Sequence, residues 1–235
     1  MSPRGFAPRP RRAAGGNGYP LPPALSRLPA GAARLPREFL AQDQRDRILL
    51  AALEIFGTRG FAAATVTDLS REAAVSRETF YRFFDDKSEC LAALHDELLV
   101  WLAEEVREAA AAAEGWAAAV LAVTARLVGL LADDIRVARL CTIEYLLGGA
   151  EVVGRQEAAL AELAAALRMG RVEIEHGERL PDSLELLLLA GAGSLVARSL
   201  VRGVGPGPAE LADELAELIL IFYLGSERAR AIVRG

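Results

Sequence analysis

Apolar residues recur at helical spacing along most of the chain beyond residue 38. The first run begins near Gln42, and its apolar members are Ile48, Leu49, Ala52, Leu53, Ile55 and Phe56. This recurrence every three or four residues predicts a helix, which the dipeptide Arg59-Gly60 should end. Hardly any stretch between residues 39 and 230 alternates with the period of two typical of strands, so the pattern predicts an all-α protein.

Capping patterns mark the start of three more helices. T-V-T-D, beginning at Thr65, has the spacing of a capping box and opens a short second helix that should end near residue 73. Ser76 can cap a third helix after a gap of about three residues, which is the tight turn of a helix-turn-helix. D-K-S-E, beginning at Asp86, repeats the box and opens a long fourth helix to about residue 113.

Glycines, prolines and acidic pairs divide the rest of the chain into five further predicted helices of roughly 13 to 22 residues. The breaks lie at residues 114–115, 132–134, 148–149, 170, 181 and 203–208, and the last helix should span about 207–224. The predicted organisation is a flexible arm over residues 1–37, a helix-turn-helix domain over 38–86, and a larger helical domain over 87–235.

Composition narrows the class of protein. An apolar content of 52% with 25% charged residues is typical of a soluble globular chain. The longest uncharged apolar run, residues 186–197, is interpreted as a core helix because a membrane span needs roughly 20 residues. No apolar block precedes a cleavage site near the N-terminus, and Cys90 and Cys141 match no metal or redox spacing. These features favour the cytoplasm and predict no cofactor, metal or membrane partner.

Charge is distributed unevenly along the chain. Residues 1–37 hold seven arginines, eight of the eleven prolines and no acidic residue, so the arm carries +7 and the remainder −12. The prolines argue against a helix, and we predict a flexible segment. Two interpretations stay open: a basic arm that adds phosphate or minor-groove contacts to a DNA-binding domain, and a disordered leader.

The segment over residues 77–84 has an apolar side and a polar side on a helical wheel. The apolar side consists of Phe80, Phe83 and Phe84, and the polar side of Arg77, Glu78, Thr79, Tyr81 and Arg82. Since so short a helix needs packing to be stable, the three phenylalanines should be buried while Tyr81 faces outward. Arginine and threonine side chains can contact base edges in the major groove of DNA, which the polar side suits. A solvated face on an ordinary helical hairpin is the alternative.

The same stretch resembles the DNA-binding domain of the tetracycline-repressor (TetR) family of transcriptional regulators. From Thr65 it reads T-V-T-D-L-S-R-E-A-A-V-S-R-E-T-F-Y-R-F-F-D-D-K-S-E-C-L, and the resemblance spans about residues 45–95. R-G-F at 59–61, the V-S-x-x-T-F-Y core and the D-K before the fourth helix are all in register. The resemblance implies a three-helix, helix-turn-helix N-terminal domain and a C-terminal helical domain for ligand binding and dimerisation.

The resemblance also implies roles for single residues. Double-stranded DNA would be bound through its phosphates by Thr65, Ser76, Tyr81 and Lys87, and through its bases by Arg77, Thr79 and Arg82. Three positions depart from the family pattern. Ala74 replaces a usual glycine and suggests a turn near ordinary helical geometry, Glu78 places a carboxylate among the base readers, and Phe83 replaces a frequent histidine or tyrosine.

In the family, the last two helices pair with their symmetry mates, so the resemblance implies a homodimer that reads a pseudo-palindromic operator. The apolar positions assigned to that interface are Leu184, Leu188, Gly191, Leu195, Leu211, Leu215, Leu218 and Phe222. A thick monomeric core is the alternative for these residues.

The family's effector pocket lies among the fourth to seventh helices, here about residues 87–170. The candidate lining residues are Trp101, Trp116, Cys141 and Tyr145, each of which could equally belong to a plain core. Because this domain is acidic, a cationic or neutral lipophilic effector is favoured over an anion. The expected function is repression that the small molecule relieves.

Enzymatic function is poorly supported by the sequence. His95 and His176 are the only histidines, and Glu173-x-x-His176 lacks the second copy that a di-iron bundle requires. Residues 203–207, G-V-G-P-G, follow no strand and predict a turn instead of a phosphate cradle. We therefore predict that the chain is not an enzyme. The alternative is a helical ligand-binding or protein-interaction module that no longer reads DNA.

Overall fold

The structure, a computed structural model, describes residues 37–174 and 177–234. Across these two ranges the chain forms ten α-helices and no strand, which confirms the predicted all-α class. The helices are α1 (Arg37–Arg59), α2 (Val66–Glu72), α3 (Arg77–Tyr81), α4 (Lys87–Ala111), α5 (Trp116–Asp133), α6 (Ile135–Thr142), α7 (Ala150–Arg168), α8 (Leu184–Val196), α9 (Pro208–Leu224) and α10 (Ser226–Arg234). The predictions for residues 1–36 and for His176 concern residues outside the described ranges.

Hydrogen bonds at the starts of α2, α3 and α4 confirm the predicted N-caps. Thr65 accepts the amide of Asp68, whose carboxylate accepts the amide of Thr65 in return, completing the capping box. Ser76 caps α3, and Asp86 accepts two amides at the start of α4. The second box is incomplete because Glu89 bonds to the amide of Asp85 and not to that of the N-cap residue.

Two predicted helices differ from the observed ones. The helix expected over about residues 135–147 ends at Thr142, and a 3-10 turn, Glu144–Leu147, follows it. The last helix does end at Leu224, but Gly225 takes a φ of +77° and a tenth helix follows, packed on α9. Ala229 of α10 is fully buried. This helix was not predicted because nine residues are too few for their apolar spacing to stand out in the sequence.

One apolar core runs from the N-terminal helices into the larger domain. Phe56 and Phe80 of the N-terminal helices belong to the same buried cluster as Leu94 of α4, Leu140 of α6 and Leu211 of α9. The first turns of α4 therefore pack against the helix-turn-helix while the rest of α4 lies in the larger domain. We call residues 42–86 the head and residues 87–234 the body.

Three residues predicted for the dimer interface are instead buried by their own chain. Leu184, Leu211 and Leu215 are 7%, 1% and 4% exposed, so these side chains pack within the chain and their place in a dimer interface stays a prediction. Leu188 and Leu195 are half-buried against the core. When a helix is apolar on all sides, its sequence does not show which side packs against the core of its own chain.

Several apolar residues of α8 and α9 are nevertheless exposed. Leu187 is 68% exposed, Leu218 and Phe222 are 40% and 51% exposed, and Gly191 is also exposed.

Two helical stretches, Trp116–Asp133 and Leu184–Val201, have the length and composition of a membrane span. Core helices of soluble proteins meet the same description, and 28% of each stretch is buried within the chain.

The turn between α2 and α3 places an alanine in the left-handed region. Ala74 has a φ of +51°, so the expected ordinary helical geometry is wrong. Arg47 of α1 holds this turn by donating hydrogen bonds to the carbonyl oxygens of Ala73, at 2.9 Å, and Ala74. The backbone bends as it would with the family's glycine, although a side chain is present.

Ala74→Gly should raise the free energy of unfolding by about 0.5–1 kcal/mol, because an L-residue in the left-handed region costs more than the extra chain entropy of glycine. Urea unfolding followed by circular dichroism measures this difference. Ala73→Gly is the matched control: Ala73 is buried with a φ of −71°, so its replacement should lower stability. A loss of stability in Ala74→Gly would contradict the prediction.

Candidate nucleic-acid interface

The start of α2 presents an exposed hydroxyl beside a charged carboxylate. The Thr65 hydroxyl donates to Asp68 Oδ2 at 2.7 Å, and Arg71 approaches Asp68 Oδ1 to 2.9 Å. Hydrogen bonds from Thr65 and then from Arg59 hold the pKa of Asp68 below its usual range, so this carboxylate stays charged. Two guanidinium groups that the sequence analysis did not assign, Arg59 and Arg71, therefore flank the predicted phosphate contact of Thr65.

Buried rings hold α3 in place. Phe80 is fully buried and Phe84 is 4% exposed, with ring centroids 5.6 Å apart, while Phe83 is half-buried at the edge of the same core. At the start of the helix, the Ser76 hydroxyl accepts the amide of Thr79 at 3.0 Å. A five-residue helix is thereby fixed by packing on one side and by its cap.

The opposite side of α3 is open to solvent. Arg77, Tyr81 and Arg82 are all exposed, and the Arg77 guanidinium lies 6.0 Å from the centroid of the Tyr81 ring. Arg82 reaches Gln44 of α1 at 3.2 Å, a neighbour that the sequence analysis did not identify. Thr79 is half-buried, and its hydroxyl lies 2.9 Å from that of Ser76. The structure therefore brings the predicted base and phosphate contacts of α3 onto one rigid face.

Lys87 lies apart from this face. Its ammonium group donates to the carbonyl oxygens of Phe61 and Ala64, both at 2.9 Å, and sits 4.4 Å from the centroid of the Phe61 ring. A third carbonyl, that of Ala62, is 3.5 Å away. All three protons of the ammonium group thus have acceptors within the chain. Lys87 fastens the first turn of α4 to the loop between α1 and α2.

The backbone N–H of Phe61 is bound by a residue of the body. Its N–H donates to Glu144 Oε2 at 2.8 Å, and Arg139 donates to the other oxygen of Glu144 at 2.8 Å and to the carbonyl of Thr58. Gly60 lies beneath this pair with a φ of +86°, and a Cβ there would stand 3.0 Å from the Arg139 guanidinium. We call Phe61, Lys87, Arg139 and Glu144 the Phe61 clamp, because Glu144 binds the backbone N–H of Phe61 and Lys87 binds its carbonyl oxygen.

The sequence of the head is similar to that of known regulatory proteins. The family model described as "Bacterial regulatory proteins, tetR family" matches residues 48–94, from the middle of α1 to the first turns of α4. Over this stretch the chain is similar to regulators of the TetR family. The matched stretch contains the whole exposed face of α3 together with the buried rings behind it.

A curated relative of this chain is the HTH-type transcriptional activator FasR of Mycolicibacterium smegmatis. The two are 32% identical over 81 residues, which is 34% of this chain and 37% of FasR. The curated relatives are matched over 23 to 37% of their own length, so sequence similarity is limited to a minor part of each.

Solved structures resemble this chain over most of its length. The fatty acid degradation regulator FadR from Bacillus halodurans is 18% identical and has a TM-score of 0.68, with 75% of this chain and 94% of that one covered. FadR from Bacillus subtilis in complex with stearoyl-CoA is 20% identical and has a TM-score of 0.63, with 76% and 97% covered. At such identities the similarity shows the fold.

The four candidate pocket residues do not share one site. Trp101 and Cys141 are each 8% exposed inside the main core, where burial raises the pKa of the Cys141 thiol to about 12. Trp116 packs on Tyr223 at 4.7 Å and lines a separate cleft of about 180 Å³. Tyr145 stacks on His95 of α4, with ring centroids 6.0 Å apart. In the described ranges, no three His, Cys, Asp or Glu side chains cluster as metal ligands would.

Proposed function

We propose that this chain is a sequence-specific, ligand-responsive transcriptional regulator that binds a pseudo-palindromic DNA operator as a homodimer. The observation that carries the proposal is the division of α3 into a buried ring side and an exposed side with Arg77, Tyr81 and Arg82. Such a helix, fixed after a tight turn, fits the major groove. The chain would act in the cytoplasm as a regulator and not as an enzyme.

Within the proposed complex, Arg77, Thr79 and Arg82 read base edges, and the exposed hydroxyl groups of Thr65, Ser76 and Tyr81 contact phosphates. Lys87 was also assigned to phosphate. Since its protons already have carbonyl acceptors, we propose that it acts mainly by holding the loop beside Thr65.

The dimer is proposed to form through the outward face of α8 and α9. Clustered exposed apolar side chains often mark an interaction surface, and Leu218 and Phe222, one turn apart on α9, and Leu187 on α8 are 40% to 68% exposed. A two-fold dimer would place two α3 helices on half-sites roughly 34–36 Å apart. These exposed apolar residues therefore support the two-fold dimer that a pseudo-palindromic operator requires.

The effector is proposed to be a lipophilic small molecule bound in the body. The similar FadR structure from Bacillus subtilis contains stearoyl-CoA. Long-chain acyl-CoA is therefore the first class to test, although its phosphates are anionic and the acidic body led us to expect a cationic or neutral effector. We propose that the effector releases a repressor from DNA. Because the relative FasR is named an activator, a reporter assay with and without the chain decides the direction.

Selection of bound duplexes from a random pool, followed by titration, tests the proposed DNA interface. Arg77→Ala should bind the selected duplex about 10- to 100-fold more weakly and lose preference at one or two positions, because a bidentate base contact is removed. Tyr81→Phe should weaken binding to all duplexes alike, by about 1 kcal/mol, because only a phosphate contact is lost.

Arg107→Ala is the matched control for these variants, since Arg107 is an exposed arginine of the body paired with Glu104. Its DNA affinity should equal that of the wild type. If the selection enriches no sequence and Arg77→Ala binds like the wild type, the chain is instead an interaction or ligand-binding module. The exposed Glu78 on the same face of α3 is the feature that favours this second candidate.

A further inference from the structure

The turn that joins α2 to α3 has the hydrogen bonds of a Schellman motif. The amide of Val75 donates to the carbonyl oxygen of Ser70 at 2.9 Å, and the amide of Ala74 donates to that of Arg71 at 3.1 Å. This motif ends a helix with one residue in the left-handed conformation, usually glycine, and here that residue is Ala74. Because only residues 73–76 separate the two helices, the conformation of Ala74 sets the direction in which α3 leaves α2.

The carbonyl oxygens of the turn itself are bound by a side chain of α1. Arg47 donates from Nε to the carbonyl oxygen of Ala73 at 2.9 Å, and its Nη2 donates to the carbonyl oxygens of both Ala73 and Ala74. The carboxylate of Asp43, one turn earlier on α1, lies 3.8 Å from Nη1 of the same guanidinium. The guanidinium is therefore held between its own helix and the turn, which suits a planar group with several fixed donors.

The same side of α1 also contacts the far end of α3. Gln44 lies three residues before Arg47, so the two side chains are neighbours on the helix surface. The Gln44 side-chain oxygen accepts a hydrogen bond at 3.2 Å from Arg82, the residue that follows α3. The helix α1 is thus bonded to the chain on both sides of α3.

The two carbonyl groups that Arg47 binds belong to the peptide groups on either side of the Ala74 Cα. Binding both at once restricts φ and ψ of Ala74 together. An L-residue has a steric cost in the left-handed region that glycine does not have. Hydrogen bonds from a charged donor are roughly twice as strong as those between neutral groups, so the guanidinium can offset that cost.

We propose that Arg47 is a positioning residue for DNA reading, because it holds Ala74 in the left-handed conformation and thereby sets the angle of α3. The inference rests on the proposed function and names the side chain that aligns its reading helix. Arg47 acts through the turn and not by binding DNA itself. The need for Arg47 therefore depends on the residue at position 74, since glycine adopts the same conformation without the steric cost.

A double-mutant cycle on DNA affinity tests this dependence. The full-length variants are titrated with the duplex that the wild type selects, at a temperature where circular dichroism shows each of them to be folded. Arg47→Met should bind about tenfold more weakly, because the turn then samples other conformations, and Ala74→Gly should bind within about twofold of the wild type. The double variant should recover to within about threefold of the wild type.

Arg47→Lys is the conservative variant. It keeps a cationic donor but loses the planar fork, so it should lose only about threefold in DNA affinity. This smaller change also keeps the cycle measurable if Arg47→Met does not fold.

Salt dependence and hydrogen exchange separate positioning from other roles. Loss of a direct phosphate contact would lower the slope of log affinity against log salt by about 0.9, whereas loss of a positioning residue leaves the slope unchanged. The Val75 amide, which donates across the turn to Ser70, should exchange at least about threefold faster in Arg47→Met. Its exchange rate should return toward that of the wild type in the double variant.

Arg45→Met is the matched control, because Arg45 is another half-buried arginine of α1 and binds a different partner, Glu97 of α4. Its effect on DNA affinity should combine with that of Ala74→Gly as a simple product, within about twofold, since its partner lies outside the turn.

The outcomes distinguish this inference from the proposed function. The inference is overturned if Arg47→Met binds like the wild type, if the salt slope falls in that variant, or if the double variant binds as weakly as Arg47→Met. If the wild type selects no duplex but glycine restores the protection of the Val75 amide, Arg47 does hold the turn and the proposed function is wrong. If neither is observed, both are wrong.

Discussion

Phe80→Ala should unfold the head, with a loss of roughly 3–5 kcal/mol in the free energy of unfolding. The Phe80 ring is fully buried and contacts the rings of Tyr81 and Phe84, both with centroids 5.6 Å away. Removing the Phe80 ring leaves a cavity beneath a five-residue helix, and local relaxation cannot fill a cavity of the size of a phenyl ring. Because single domains are stable by only about 5–15 kcal/mol, the loss removes a large part of the total.

Urea and thermal unfolding followed at 222 nm measure this effect, with DNA binding assayed in parallel. Tyr81→Phe is the matched control because it changes the adjacent ring, which is 46% exposed, and should shift stability by less than about 0.5 kcal/mol. An unchanged melting temperature in Phe80→Ala, or a large loss in Tyr81→Phe, would mean that the two rings have been assigned to the wrong sides of α3.

Glu144→Ala should cost about 3 kcal/mol of stability and also weaken DNA binding. The Glu144 carboxylate is 3% exposed and is the acceptor for both the Phe61 amide and Arg139. Its removal leaves a buried N–H without a partner and a half-buried guanidinium without its carboxylate. The loop before Thr65 then loses one of its two attachments to the body, so α2 and α3 are less well placed for binding.

Two other glutamate variants make this expectation specific. Glu144→Gln keeps an oxygen acceptor for the Phe61 amide and should cost about 1 kcal/mol, mainly through the lost charge on Arg139. Glu104→Ala removes a carboxylate that is 63% exposed and should cost less than about 0.5 kcal/mol. Protection of the Phe61 amide from hydrogen exchange should fall in Glu144→Ala and persist in Glu104→Ala. Equal exchange rates in all variants would argue against the clamp.

Features set by neighbouring residues were predictable from the sequence. The N-caps at Thr65, Ser76 and Asp86 and the ring side of α3 depend on spacings of three or four residues, and the structure confirms them. The left-handed φ of Ala74 was missed because alanine seldom adopts that conformation, and it is held here by Arg47 from another helix.

Features set by distant residues could not be predicted. The bond between Phe61 and Glu144 joins residues 83 positions apart, and no local pattern encodes it. The same is true of the side-chain contact between His95 and Gln156, which depends on how α4 packs against α7. At Leu211 and Leu215 the apolar spacing gave the helix, but burial by the chain's own core depends on helix packing.

The two sides of α3 have a consequence for how the proposed DNA contacts can change over time. The Arg77 and Arg82 side chains are exposed and lie outside the buried core, whereas Phe80 is fully buried in it. Substitutions at these two arginines should therefore change the proposed base contacts at little cost in stability. Binding specificity in this head can diverge, or be re-engineered by library selection, while the scaffold that presents it stays the same.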